Sequence, residues 1–180
     1  MKSSIRRVVV LCALALASWS SPVLAKEAAA SQAQVIGAYF SPPDNAAKAI
    51  VEQIEASRKE VLVQAYGFTH NVIAQALVQA HKRGVKVQVI MDAKSASTNR
   101  YVVEILDRER MTYRWDGKHA IAHNKVMVID HDIIITGSFN FTNSAQTRNA
   151  ENLLILRSAP LAHEYRQNWS EHWNHSREKP

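Results

Sequence analysis

Residues 123–140 read His-Asn-Lys-Val-Met-Val-Ile-Asp-His-Asp-Ile-Ile-Ile-Thr-Gly-Ser-Phe-Asn. Ala120 to Asp130 and Ile133 to Thr136 are strand-like runs with a short connection, so they predict an antiparallel pair within a sheet. Side chains on a strand alternate between faces, which sends His123 and Lys125 to the same side. An imidazole beside an ammonium suits phosphate chemistry: one group attacks or moves protons, and the other neutralises oxygen charge. Ser138 and Asn140 share a parity as well, and Gly137 permits close backbone approach. Asp130 lies seven positions from His123, an odd offset that puts it on the opposite face of a regular strand. It is expected to be a supporting carboxylate at the strand end.

Working outward, Val35 to Phe40 reads as a short buried strand stopped by Ser41-Pro42-Pro43. Asp44 or a neighbour caps a helix bearing Ala47, Ile50, Val51 and Ile54 on one face. Val61 to Ala65 is a strand, and Asn71 to Arg83 a helix ended by Gly84. Val85 to Met91 is a strand, and about Asn99 to Arg108 a helix. Strand and helix alternating three times predicts crossovers over a parallel sheet. Past Met111 the rhythm changes: Met111 to Trp115, the two runs of the opening stretch, and Asn152 to Leu156 are strands with short connections. A helix from about Pro160 to His175 carries Leu161, Tyr165, Trp169 and Trp173 at i, i+4 spacing, a stripe that reads as core packing. The predicted architecture is α/β, one α/β/α layered domain around a mixed parallel and antiparallel sheet.

The chain has 180 residues, 47% of them apolar and 21% charged, with a single Cys and five Gly. These values exclude disordered, collagenous and disulfide-stapled classes. Lys2, Arg6 and Arg7 precede the apolar run Val8 to Ala17 and a small-residue stretch ending at Ala25. This order predicts a cleaved secretory signal over residues 1–25, with cleavage after Ala25. The apolar run is shorter than the about 20 residues a membrane span needs. The formal charge of +6 falls to +3 without those three basic residues, and Cys12 leaves with them. Residues 26–180 are therefore expected to form a periplasmic or secreted domain without thiol chemistry.

His-x-Lys-x4-Asp, six residues, then Gly-Ser-x-Asn resembles the signature of the phospholipase D superfamily, and the chain is most similar to its small secreted bacterial endonucleases. The resemblance implies that His123 attacks phosphorus to form a phosphohistidine. It further implies that Lys125, Ser138 and Asn140 hold the non-bridging oxygens, that Glu151 orients a site histidine, and that Asp130 belongs to the motif. No cofactor is implied, and the chemistry is expected to need no metal.

Breaking a P–O bond requires a general acid on the leaving oxygen as well as a nucleophile. No other histidine here is followed by Lys two residues later, so the expected solution is a homodimer joining His123 and Lys125 of two chains. A monomeric site using His119 is the lesser alternative. His172 and His175 share a helix face, but the sequence offers them no nearby third ligand, so metal is set aside. The expected function is a largely non-specific endonuclease acting on DNA, with RNA as a further substrate. Lys94, Arg100, Arg108, Arg110, Arg114 and Lys118 favour a polyanion, although interleaved acids reduce their local sum to +1. The alternatives are a phospholipid hydrolase or phosphatidyltransferase, and an exported nucleic-acid-binding protein without activity. No lipid-docking segment is visible in residues 26–180.

Overall fold

The computed structural model describes residues 33–180; the expected signal segment lies outside them. Seven strands form one sheet: β1 (Gln34–Ser41), β2 (Glu60–Ala65), β3 (Lys86–Asp92), β4 (Thr112–Asp116), β5 (Lys125–Ile129), β6 (Ile133–Gly137) and β7 (Glu151–Arg157). The helices are α1 (Ala46–Ala56), α2 (Asn71–Lys82), α3 (Arg100–Arg108), the short α4 (Asn143–Thr147) and α5 (Ala159–His175), with a 3-10 turn at Ala93–Ser95. Strand order is β1-β7-β6-β5-β2-β3-β4.

The layers follow the side-chain periodicities. Val61, Val63 and Ala65 of β2 face one way and pack with Ile50, Ile54, Ile73, Leu77, Val102 and Leu106 from α1, α2 and α3. Leu62, Val126, Val128 and Ile134 face the other way and pack under Ala162 and Trp169 of α5. Each fully buried aliphatic side chain contributes on the order of 1.5–3 kcal/mol. The aromatic stripe of α5 belongs to this second core: Trp169 stacks on Trp173 at 4.9 Å and its Nε1–H donates to the Val63 carbonyl at 2.9 Å. Asn45 caps α1, accepting from the Lys48 N–H at 3.0 Å. Among the described residues no helix is long and apolar enough to cross a membrane.

Three details depart from the sequence reading. First, β1 does not join a run of neighbouring parallel strands. It crosses to the far edge and pairs antiparallel with β7, so only β2, β3 and β4 are parallel neighbours, and as an edge strand it is mostly exposed or half-buried rather than buried. Second, β5 begins at Lys125 rather than Ala120. Residues 117–124 are occupied in running from the end of β4 past the ends of β3 and β2 to the start of β5, and they cannot pair as a strand while doing so. The short helix α4 also went unread; it is capped by Thr142, whose Oγ1 accepts from the Ala145 N–H.

Candidate active site

The alternating directions of the strands bring five chemistry-bearing residues to one edge of the sheet. With β2 running upward, β5 and β7 run down and β6 runs up. Consequently His123 and Lys125 at the start of β5, Ser138 and Asn140 just past β6, and Glu151 at the start of β7 all lie along the upper edge.

Lys125 is 7% exposed. Its Nζ donates to the His123 carbonyl at 2.5 Å and lies 5.2 Å from the Tyr66 ring centroid, a cation–π distance. Burial pushes the Lys125 ammonium below its ordinary range, and the Glu151 carboxylate pulls it partly back. The exposed His123 ring packs against Tyr66, with centroids 4.6 Å apart. Tyr66 is fixed in turn: its N–H donates to the Asn124 carbonyl, and its own carbonyl accepts from Asn99 Nδ2 at 3.0 Å. Asn99 is fully buried and also accepts from the Phe68 N–H at 2.7 Å.

Ser138 and Glu151 form a second coupled unit. Ser138 Oγ donates to Glu151 Oε2 at 2.5 Å and accepts from the N–H and Nδ2 of Asn152 at 3.1 and 3.2 Å. Asn149 Nδ2 holds the other Glu151 oxygen at 3.1 Å. The Glu151 carboxylate thus bonds Ser138 and Asn149, and among the described residues no hydrogen bond joins it to His123 of the same chain. Gly137 makes this unit possible. Its φ is +151°, and a Cβ there would meet the Asn152 carbonyl oxygen at 2.3 Å. Asn140 Oδ1 accepts a long bond from the Gly67 N–H, 3.4 Å, which ties the turn after β6 to the end of β2.

Asp130 lies at the other end of β5. Its carboxylate accepts the backbone N–H groups of Arg58, Lys59 and Glu60 at 2.7, 2.7 and 3.0 Å, closing the turn between α1 and β2. His119 packs with His172 and His175, ring centroids 5.2 and 5.6 Å away, rather than with His123. The third ligand that the sequence did not offer His172 and His175 comes from the fold, which sets Asp116 and His119 beside them.

Sequence reasoning missed Tyr66, Asn99 and Asn152. The position of Tyr66 directly after the β2 strand run was a usable signal. For Asn99 there was none, because its partners are thirty residues away.

The described geometry can be set beside known proteins. The family model described as "Cardiolipin synthase, PLD-like domain" matches residues 50–173. A protein called phospholipase D from Rickettsia prowazekii is 42% identical over 130 residues, 72% of this chain and 63% of the relative. The chain therefore spans somewhat under two thirds of that relative's length. A mouse protein called mitochondrial cardiolipin hydrolase is 26% identical over 124 residues, 69% of this chain and 56% of its own. Among solved structures, Nuc from Salmonella typhimurium, described as a phospholipase D family member, superposes with a TM-score of 0.77. It shares 31% identity over 81% of this chain and 97% of that one. With the His-x-Lys strand and the Gly-Ser-x-Asn turn side by side on one sheet edge, the chain belongs to the phospholipase D superfamily.

Proposed function

We propose that this phosphodiesterase-type hydrolase is an exported endonuclease that cleaves DNA, and RNA as a further substrate, with little sequence preference. The observation that carries this reading is the gathering of His123, Lys125, Ser138, Asn140 and Glu151 on one sheet edge, in a chain that matches nearly the whole length of Nuc. A His123 ring nitrogen attacks phosphorus and the P–O bond breaks, leaving a phosphohistidine. The leaving oxygen takes a proton from a second imidazole, which then deprotonates the water that cleaves the P–N bond and restores His123. Lys125, Ser138 and Asn140 hold the non-bridging oxygens as charge builds. The residues of this edge supply the nucleophile and the oxygen-holding groups, and the proposed chemistry calls on no metal ion.

The second imidazole in this proposal is His123 of the partner subunit in a homodimer, and Glu151 orients a site histidine. Three observations support the pairing. The sequence holds one motif copy, and His119 is engaged elsewhere. Moreover, Phe40, Val72, Tyr101 and Ile121 are 62%, 56%, 51% and 47% exposed; the first three sit at strand or helix ends on the same edge as His123, and Ile121 lies on the loop that leads into β5. Large apolar side chains placed there suit contact with a second copy.

A second reading, phospholipid hydrolysis, is favoured by relatives whose names carry that activity. Purified protein would be incubated separately with plasmid DNA, RNA and cardiolipin-containing vesicles. The expected result is nucleic-acid cleavage that disappears in His123→Ala, with the vesicles intact. Lipid hydrolysis with intact DNA would overturn the nuclease reading. Dimers of one wild-type and one His123→Ala chain are expected to be nearly inactive, and full activity per wild-type chain would contradict the shared site.

A further inference from the structure

We propose that Asp116, His119, His172 and His175 form a binding site for one zinc-type divalent ion, separate from the phosphate-handling residues. One carboxylate oxygen and three imidazole nitrogens lie within 4.8 Å of one another. This donor set suits zinc, which takes imidazole and carboxylate ligands in tetrahedral array.

The residues arrive from two elements that the fold docks together. Asp116 ends β4, and His119 follows three residues later; His172 and His175 occupy the last turn of α5, three apart and on one face. The chain beyond α5 turns back and pairs with β4. The Trp115 N–H donates to the Arg177 carbonyl at 2.7 Å, and the Arg177 N–H returns a bond to Trp115 at 2.9 Å. This clamp fixes His175 next to Asp116 independently of any ligand.

One polar atom of the cluster lacks a hydrogen-bond partner. Asp116 is fully buried. His172 Nδ1 lies 2.6 Å from its Oδ2, while His175 Nε2 lies 3.1 Å from Oδ1 but outside hydrogen-bond geometry. That nitrogen is buried and makes no hydrogen bond, which is costly for a polar atom. Three imidazole rings centred 5.1–5.6 Å apart surround this single carboxylate.

Zinc–nitrogen and zinc–oxygen bonds of about 2.0–2.1 Å in a tetrahedron place ligand atoms roughly 3.3 Å apart. The cluster must therefore contract, and exposed His119, on a loop, is the member free to swing inward. A bound ion would join that loop to β4 and α5. The same loop is anchored again where the Ala122 N–H donates to Asp92 Oδ1 at 2.8 Å, one residue before His123. The ion would stiffen the approach to His123 without touching substrate.

The test uses the whole protein, stripped with chelator and then titrated with Zn2+ or Co2+. The site predicts one zinc per chain by elemental analysis, a tetrahedral Co2+ absorption spectrum, and a Tm rise of about 5 °C at saturating zinc. His119→Ala, altering an exposed side chain, should fold normally and lose most of the affinity. His163→Ala, on α5 but outside the cluster, should bind as the parent does. Absence of zinc uptake, or equal uptake by His119→Ala, would overturn the proposal. These readouts do not depend on nuclease activity, which should survive brief chelation at ambient temperature.

Discussion

Replacing Asp130 with alanine separates a supporting carboxylate from a reacting one. In the structure it accepts three backbone N–H groups, from Arg58, Lys59 and Glu60, each within 3.0 Å. A hydrogen bond to a charged group contributes a net of about 1.5–3 kcal/mol. The N–H groups of exposed Arg58 and Lys59 would be rehydrated after the substitution, whereas Glu60 is buried. Alanine at a position with φ +50° adds on the order of 1 kcal/mol of strain. The sum is a loss of roughly 2–4 kcal/mol, or about 5–15 °C in Tm for a domain of this size. Asp130→Asn keeps an acceptor and tolerates the backbone, so it should lose about half as much. Thermal unfolding gives the first quantity, and kcat at 20 °C on the folded fraction gives the second. The expected result is a lowered Tm with kcat within about threefold of the parent, since Asp130 acts only through the α1–β2 turn. A kcat loss above about 100-fold with an unchanged Tm would refute this reasoning, because about 2.7 kcal/mol of barrier would then depend on a residue at the wrong end of β5.

Three further substitutions address the site itself. Lys125→Met should abolish hydrolysis while Tm stays level or rises, because it removes a buried ammonium. Burial lowers the Lys125 pKa, so the unfolded chain binds the extra proton in the window between that depressed value and 10.5. In the parent, this group's contribution to stability should therefore increase with pH across the window, and a comparison of Tm against pH should show that slope flattened in Lys125→Met. Asn99→Ala removes two bonds at a fully buried residue and frees the Tyr66 backbone; a Tm drop of about 5–10 °C with reduced kcat is expected from unfolding and single-turnover measurements. Gly137→Ala places a Cβ against the Asn152 carbonyl and should cost about 2–4 kcal/mol, with activity lost through displacement of Ser138, as denaturant titration and plasmid cleavage would record.

The parts of this molecule legible in its sequence are those set by short-range periodicity. The buried stripes of α1, α2, α3 and α5 and the apolar runs of β2, β3, β5 and β6 show themselves within a few turns or pleats. The fixed spacing from His123 to Asn140 likewise brought the motif into view. What was hidden depends on contacts distant in sequence. The pairing of β1 with β7 joins Gln34 to Arg157, and nothing local at Gln34 encodes that choice. The loop 117–124 carries apolar residues that imitate a strand, yet the path it must travel denies it a partner. The support of Tyr66 by Asn99 and the meeting of Asp116 and His119 with the end of α5 are likewise products of the closed fold. His172 and His175 looked ordinary because their third and fourth partners lie more than fifty residues upstream.

The central claim is that hydrolysis proceeds through His123, and the most direct measurement is capture of the intermediate. Enzyme mixed with a short oligonucleotide would be quenched within milliseconds to seconds at alkaline pH, where a phosphohistidine survives, and the peptide spanning His123 analysed by mass spectrometry. The predicted result is a nucleotide-phosphate adduct on His123 that accumulates and decays at the rate of turnover and is absent from His123→Ala. Turnover with no adduct on that residue, or cleavage that persists in His123→Ala, would contradict it.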